Sequence, residues 1–227
     1  MQHLILLHGA ASGSKQFEKL QPQLAADFII HTPNFPGHGS DANMNTDFSV
    51  ASFADAIINY MDVHKIETTN IFGYSLGGYT GMYIAKKFPA RISRLITLAT
   101  KFYWDENIAV REAAMLHPEK IEQKVPQFAT LLQTHHGEHW KNVLYKTQEL
   151  LTGIGSNPAV QQDDYTNITT PCCIMLGDRD KMVTIEETLA VYKQLTNAQM
   201  CMLPGTPHPF EQVDTALLSV IIRRFLL

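Results

Sequence analysis

The sequence around Ser75 predicts an unusually sharp backbone turn. A short apolar run ends in Gly73-Tyr74-Ser75-Leu76-Gly77, and helical spacing follows it. Gly-x-Ser-x-Gly between a strand and a helix is typical of a sharp turn that lifts the serine clear of its neighbours. The two glycines suit this turn, because strand and helix pass too closely there to leave room for a Cβ. The same pentapeptide also occurs by chance in ordinary glycine-rich turns, so the rest of the chain has to decide.

Composition narrows the classes of protein to consider. A chain of 227 residues with 45% hydrophobic and 18% charged residues predicts one globular domain over residues 1–227. The net charge of −4 and the lack of a basic run argue against nucleic acid or an anionic membrane as a partner. The first residues carry no Lys or Arg and the apolar run 4–7 is short, so we expect a cytoplasmic protein.

The three cysteines do not have the spacing of metal ligands. Cys172 and Cys173 are adjacent, so they cannot both face the same side of a strand, and Cys201 makes the count odd. We therefore expect buried, reduced thiols.

Strand-like and helix-like segments alternate along most of the chain. Apolar runs predict six strands, at residues 4–7, 28–32, 68–73, 92–100, 172–176 and 199–203. Helical spacing appears between them, at residues 14–26, 49–64, 76–88, 185–195 and from 209 or 210 to about 225. This alternation predicts an α/β fold with a wholly parallel sheet of about six strands and helices on both faces.

The alternation stops between about residues 104 and 164. This segment has no strand-like run, and its helix-like stretches are 106–116, 119–133 and 138–151. A helical insertion between two strands predicts a cap over the carboxyl edge of the sheet, where ligands bind in open α/β sheets. Candidate pocket residues in and beside the cap are Phe102, Met115, Leu132 and Trp140, although packing between cap and core explains each of them equally well.

Two later loops carry partners for the serine. A serine hydroxyl is a weak nucleophile that needs a base, which a third group orients. Residues 177–180 contain Asp178 and Asp180 and follow the fifth predicted strand, and His208 follows the sixth. Both loops should therefore open at the same edge of the sheet as Ser75. The order Ser, Asp, His along the chain is the order found in α/β-hydrolases.

These motifs together resemble the α/β-hydrolase superfamily, in its branch of small capped esterases and C–C hydrolases. They are His8-Gly9, Pro36-Gly37-His38-Gly39-Ser40, the pentapeptide around Ser75, Gly177-Asp178-Arg179-Asp180 and His208. The resemblance implies that Ser75 is the nucleophile and His208 the base. It also implies an oxyanion hole formed by the backbone N–H groups of Ala10 and Leu76. The family's usual first two strands are missing, since residues 4–7 match its third strand.

The sequence identifies the carboxylate that orients His208 less closely than it identifies His208 itself. Asp180 occupies the position that the family normally uses, whereas Asp178 is better suited to bracing its own turn. Asp105, just past the fourth strand, is an occasional alternative in the family. We favour Asp180 over the other two.

We expect structural roles for five of the other histidines. His8 and His38 lie in family loop motifs and are expected to brace loops. His135, His136 and His139 are interrupted by Gly137 and lack a carboxylate pattern that would complete a metal site, so no metal is expected.

The predicted function is a serine hydrolase that cleaves a small, fairly apolar carboxylic ester or related acyl substrate through an acyl-enzyme, without a cofactor. One alternative keeps the fold and breaks a C–C bond. Relatives of that kind in menaquinone synthesis clamp carboxylates with cap arginines, and this cap contains only Arg111. A second alternative is a weakly catalytic sensor that uses the same pocket to recognise a small ligand. The sequence specifies neither the natural substrate nor the oligomeric state.

Overall fold

Six parallel strands form the centre of the protein in this computed structural model, which describes residues 1–39 and 44–227. The strands are β1 (Gln2–Leu7), β2 (Phe28–His31), β3 (Thr69–Tyr74), β4 (Ile92–Leu98), β5 (Cys172–Gly177) and β6 (Ala198–Leu203). Their order across the sheet is β2-β1-β3-β4-β5-β6, and neighbours pair in parallel. The predicted parallel α/β sheet is confirmed. Ser40, which belongs to one of the sequence motifs, lies outside the described residues.

Nine helices occur in the described part of the chain. They are α1 (Gln21–Leu24), α2 (Val50–Val63), α3 (Leu76–Lys87), α4 (Glu106–Met115), α5 (Pro118–Lys124), α6 (Pro126–His136), α7 (Trp140–Ser156), α8 (Ile185–Gln194) and α9 (Thr215–Leu226). No helix among residues 1–39 and 44–227 is both long and apolar enough to span a membrane.

The sheet separates two apolar clusters because side chains alternate along each strand. Ile5 and Leu7 of β1 join α2, α3 and α8 on one face, whereas Leu4 and Leu6 join α1 and α9 on the other. The adjacent cysteines follow the same alternation. Cys172 lies in the first cluster and Cys173 in the second, both as free thiols. Burial raises the pKa of each of these two thiols to about 12, so both stay protonated at neutral pH.

Two prolines divide helices that the sequence pattern predicts as continuous. Residues 14–26 form a short 3-10 turn, Ser14–Phe17, and then α1, which has Pro22 in its first turn. The helix predicted over 119–133 is instead α5 and α6, which Pro126 separates. Proline has no N–H, and its ring clashes with the preceding turn, so a helix restarts at proline instead of running through it. The last predicted helix likewise begins later, where Asp214 caps α9.

The segment between β4 and β5 is helical, as the sequence predicts. It contains α4 to α7 and a 3-10 turn, Gln162–Asn167. Apolar residues of this segment, including Leu132, Leu144 and Tyr165, belong to the same cluster as α2 and α3. Trp104, Leu116 and others from it also line the cavity that contains Ser75. The position of this segment therefore shapes the candidate site.

Candidate active site

Ser75 occupies a strained turn between β3 and α3. Its φ of 52° and ψ of −117° lie in a region that residues with a Cβ rarely adopt, at a cost of about 1–3 kcal/mol. Three backbone contacts hold it there. Its N–H donates to Leu98 O at 2.9 Å, and its carbonyl accepts from the N–H groups of Gly78 at 3.0 Å and Tyr79 at 3.1 Å. The strained geometry is thus fixed from both β4 and α3.

The glycines of the pentapeptide are required by close backbone approaches. A Cβ on Gly73 would lie 2.5 Å from the carbonyl oxygen of Gly77, so the start of α3 passes directly over β3. A Cβ on Gly77 would lie 2.1 Å from the carbonyl oxygen of Leu7. The sequence predicts a collision at both glycines, and the structure shows that Gly77 meets the end of β1, not β3.

His208 and Asp180 are joined by a short hydrogen bond. His208 Nδ1 lies 2.8 Å from Asp180 Oδ2, and the Asp180 side chain is fully buried. Asp180 Oδ1 accepts from the N–H groups of Met182 at 2.8 Å and Val183 at 2.9 Å. Burial by itself would raise the pKa of Asp180. The hydrogen bond and charge of His208, together with the two N–H groups, outweigh it and hold this pKa below its ordinary value.

The pairing with a carboxylate selects one tautomer of His208. Asp180 accepts, so Nδ1 carries the proton and Nε2 is left with a free lone pair. The backbone of His208 is also fixed, because the Tyr74 hydroxyl donates to its carbonyl oxygen at 2.5 Å. Burial raises the pKa of Tyr74, so this hydroxyl remains a donor. The residue preceding Ser75 thus anchors the loop that carries His208.

Ser75 and His208 line one cavity of about 90 Å³ together with Ala10 and Leu76. Within the described residues, Ser75 Oγ makes no hydrogen bond to His208 at 3.5 Å or less, and such bonds often tighten only when substrate binds. In the same part of the chain, the N–H groups of Ala10 and Leu76 have no protein acceptor. The loop before Ala10 is held by the Gly9 N–H, which donates to Gln16 Oε1 at 2.9 Å.

The two alternative acids are occupied elsewhere. Asp178 Oδ1 accepts from the Thr206 N–H at 3.2 Å, so this carboxylate braces the loop before His208. Asp105 caps α4 by accepting from the Ile108 N–H at 2.8 Å. Of the three aspartates, it is Asp180 that contacts His208.

One of the four predicted pocket residues lines the cavity. Met115 does so from the end of α4, whereas Phe102, Leu132 and Trp140 are not among the lining residues and lie buried in the core. Phe102 packs edge-on against Tyr165, with ring centroids 6.0 Å apart. For these three residues, the structure therefore agrees with the alternative that they are packing residues.

The sequence analysis does not select several other residues that line the cavity. They are Tyr79, Lys101, Trp104, Glu112, Leu116, Leu151, Met182 and Val183. A signal exists for some of them, because Glu112, Met115 and Leu116 recur at helical spacing on one face of α4. Tyr79 follows Ser75 by one helical turn. Finding the remainder requires the placement of the inserted helices.

Three buried histidines connect loops around the candidate site. His8 Nδ1–H donates to Gly9 O at 2.9 Å, and its Nε2 accepts from the Phe35 N–H at 3.1 Å. Burial lowers the pKa of His8 to about 3. His38 is also buried, and its Nδ1 contacts Pro36 O at 3.1 Å. Both histidines therefore hold loops in their neutral form.

His136 links α6 to the loop after β1. Its Nε2–H donates to Ala11 O at 3.0 Å, and its Nδ1 accepts from the Gly39 N–H at 3.0 Å. Ala11 has a φ of 51°, a strained value that this bond helps to maintain next to Ala10. Both ring nitrogens are used. Across residues 1–39 and 44–227, no group of three or more His, Cys, Asp or Glu side chains is arranged to hold a metal ion.

Comparison with known proteins identifies the family. The sequence pattern of the alpha/beta hydrolase fold family matches residues 2–135, more than half of the chain. The chain belongs to this family. The matched region includes Ser75 and ends before Asp180 and His208.

Two relatives with curated sequences each match slightly less than half of the chain. An uncharacterized protein of Mycobacterium tuberculosis is 34% identical over 116 residues, which are 49% of this chain and 33% of that protein. A pimeloyl-acyl-carrier-protein methyl ester esterase of Neisseria meningitidis is 31% identical over 100 residues, 44% of this chain and 37% of the esterase. The chain thus aligns with about a third of the length of these relatives.

Solved structures match the whole chain. The enol-lactonase of Burkholderia xenovorans has a TM-score of 0.81 at 16% identity, over 99% of this chain and 91% of that one. The TM-score shows that the two proteins share a fold, and at this identity the likeness shows the fold alone.

Proposed function

We propose that this protein is a serine hydrolase that cleaves a small, fairly apolar carboxylic ester or related acyl compound through an acyl-enzyme. The observation that carries the proposal is the 2.8 Å contact between His208 and Asp180 at a cavity that also contains Ser75. The Neisseria relative is named as an esterase, which supports ester cleavage over other chemistry.

The geometry supports each proposed role. Asp180 holds the Nδ1 proton of His208, so Nε2 is free to take the hydroxyl proton as Ser75 Oγ attacks the substrate carbonyl. The C–O bond of the ester then breaks as His208 returns the proton to the leaving alcohol. Water, activated by the same nitrogen, releases the acid from the acyl-enzyme in the second step.

The negative charge of each tetrahedral intermediate needs fixed donors. The N–H groups of Ala10 and Leu76 border the cavity without a protein acceptor, and Leu76 opens α3, where the helix dipole is positive. Preorganised donors of this kind typically contribute about 10²–10³ in turnover each. The proposed chemistry uses no metal and no organic cofactor.

Residues 1–227 form one domain in this proposal, with residues 104–164 as its cap. Trp104, Met115 and Leu151 of that segment line the cavity opposite core residues such as Ser75. The predominantly apolar lining and the small volume suit a short acyl group better than a large or highly charged one.

Cleavage of a C–C bond receives no comparable support. Arg111, the arginine within the proposed cap, has a side chain that is 64% exposed and contacts Glu112. It is not among the residues that line the cavity with Ser75, so it does not form a carboxylate clamp there.

Turnover of model esters tests the proposal. We expect the protein to hydrolyse p-nitrophenyl esters of short acids many times per site, Ser75→Ala to abolish this, and Ser156→Ala, at the exposed end of α7, to leave it unchanged. A single stoichiometric burst without further turnover would instead identify a sensor that traps its ligand.

A further inference from the structure

The apolar cavity beside Ser75 contains two charged side chains in contact distance of each other. Lys101 lies just after β4 and Glu112 lies on α4, and both line the cavity. Their side chains are only 10% and 6% exposed, and Lys101 Nζ is 3.8 Å from Glu112 Oε1. Glu187 of α8 is also near the ammonium, with its Oε2 at 3.7 Å from Lys101 Nζ. Charged groups are costly to place in such a site.

The hydrogen-bonding capacity of Lys101 is largely unused. An ammonium has three donors, and within the described residues Lys101 Nζ makes one hydrogen bond, to Met182 O at 2.7 Å. The separations from Glu112 and Glu187 are too long for hydrogen bonds. Two donors of a nearly buried ammonium are therefore available at the wall of the cavity.

Glu112 also retains an unused acceptor, unlike Glu187. Both oxygens of Glu187 accept backbone N–H groups, Oε1 from Phe102 at 2.8 Å and Tyr103 at 3.2 Å, and Oε2 from Thr184 at 3.4 Å. In contrast, Glu112 Oε1 accepts from Arg111 at 3.2 Å, and Oε2 has no hydrogen-bond partner among the described residues. Glu187 therefore holds the fold together, whereas Glu112 lines the cavity and keeps free acceptor capacity.

The pair stands where the cavity meets a larger space. An outer groove of about 850 Å³ shares four lining residues with the cavity, namely Lys101, Glu112, Met115 and Met182. Packing alone does not require charge at such a wall, because a buried ion pair can often be replaced by apolar residues without loss of stability. The free donors and acceptor point to a role in binding.

We propose that Lys101 and Glu112 form a polar subsite that recognises a hydroxyl group on the acyl part of the substrate, separated from the scissile carbonyl by an apolar stretch. This rests on the proposed hydrolase function and deepens it. A hydroxyl accepts from an ammonium and donates to a carboxylate. One hydroxyl oxygen can lie about 2.7–3.0 Å from both Lys101 Nζ and Glu112 Oε1, which are 3.8 Å apart, because Oε1 has a second lone pair beside the one that accepts from Arg111. Lys101 and Arg111 balance the charges of Glu112 and Glu187, so neither a substrate carboxylate nor a substrate cation gains a net attraction there. The subsite therefore favours a neutral group that both donates and accepts.

Matched esters test this assignment. We would measure kcat/KM for p-nitrophenyl butanoate, hexanoate and octanoate, each with a terminal methyl, hydroxyl or methoxy group, since methoxy accepts but cannot donate. At one or more chain lengths, the hydroxyl ester should exceed both matched esters by about tenfold or more, as expected for hydrogen bonds to charged groups. Hexyl acetate and its terminal hydroxyl derivative examine the alcohol side, where no preference is expected.

Variants then connect the preference to the two residues. Lys101→Met should bring the hydroxyl-to-methyl ratio close to one. Glu112→Gln should lower this ratio severalfold, because a neutral amide oxygen accepts more weakly than a carboxylate. Lys141→Met, which removes a surface lysine paired with Glu122, should leave the ratio unchanged. Lys101→Met leaves two buried carboxylates without their cation and could fail to fold. Glu112→Gln keeps the shape of the side chain and serves as the second route, with circular dichroism as the check on folding.

The outcomes separate this proposal from the hydrolase function. Reaction of Ser75 with a fluorophosphonate, combined with no hydroxyl preference at any chain length, overturns the subsite and leaves the hydrolase intact. A preference of unchanged size in both variants, or one that appears only on the alcohol side, also overturns the subsite. If Ser75 does not react at all, both proposals are contradicted.

Discussion

Asp180 lies 2.8 Å from His208 Nδ1 and accepts two further backbone N–H groups through its other oxygen. The carboxylate is therefore fixed before any substrate arrives, and it cannot turn away from the imidazole without losing those bonds. Asp178, only two positions earlier, instead accepts from the Thr206 N–H at 3.2 Å. The loop after β5 thus presents two carboxylates with separate tasks.

The first prediction compares these two aspartates. Asp180→Asn should leave the protein folded and reduce turnover by several orders of magnitude, because an amide can donate to His208 and reverse its tautomer. A loss of about 10⁴ is known for the equivalent change in serine proteases. Asp178→Asn, which keeps an oxygen for the Thr206 N–H, should have a modest effect. Steady-state turnover of both variants, with circular dichroism, checks the prediction. Equal losses would leave the acid unassigned, and a large loss for Asp105→Asn alone would move it to the end of β4.

The second prediction concerns stability in acid. Burial lowers the pKa of His8, His38 and His136, so protons bind more readily to these side chains in the unfolded chain. Their contribution to the free energy of unfolding is complete above the unfolded pKa of about 6.5, and it is lost as the pH falls below that value. The free energy of unfolding should drop by on the order of 1–2 kcal/mol per fully buried histidine between about pH 6.5 and 5. Urea unfolding at both pH values measures it. The drop should be smaller in His136→Gln, and an unchanged free energy would contradict the account.

The third prediction concerns the contact between α6 and Ala11. His136→Phe should lower kcat about tenfold, with a smaller change in KM. The reason is that the strained Ala11 and the adjacent Ala10 N–H lose the hydrogen bond that supports them. The complete loss of an oxyanion donor costs about 10²–10³ in kcat, so a partial displacement should cost less. His136→Gln can donate through its amide and should restore part of the rate. His139→Phe, in the exposed turn before α7, is the matched control. An unchanged kcat in His136→Phe, with only a lower melting temperature, would show that the residue supports the fold alone.

The fourth prediction separates cavity residues from packing residues. Met115→Ala enlarges the cavity wall and should shift the preferred acyl chain length upward with little loss of stability. Trp140→Ala should instead lower stability by about 3–5 kcal/mol, as for other large buried residues, and leave the chain-length profile unchanged. Chain-length panels and urea unfolding of both variants measure this. A longer preferred chain in Trp140→Ala would place that side chain in the substrate path.

The sheet and the positions of Ser75, Asp180 and His208 in it could be predicted because each depends on a local pattern and on chain order. The run before Ser75 is apolar, the pentapeptide defines the turn, and parallel strands bring the loops of Asp180 and His208 to one edge. These inferences need no knowledge of side-chain packing. Pro22 and Pro126 also mark helix boundaries in the sequence. The apolar residues on either side of each proline keep helical spacing, so the spacing alone predicts one continuous helix.

The lining of the cavity could not be predicted in the same way. Lys101 and Glu112 meet because α4 brings Glu112 close to the chain just after β4. His136 reaches Ala11 across 125 residues of sequence. Contacts of this kind depend on where the inserted helices settle, which no periodicity records. Trp140 illustrates the difficulty, since an aromatic residue in a cap suits a pocket and a core equally well.

The reactivity of Ser75 tests the central claim most directly. The protein would be treated with a fluorophosphonate, digested, and examined by mass spectrometry to find the modified residue. We predict a covalent adduct on the peptide that contains Ser75, no adduct in Ser75→Ala, and greatly slowed labelling in His208→Ala. Labelling that persists in Ser75→Ala, at Ser12 or Ser40 for example, would contradict the assignment of Ser75 as the nucleophile.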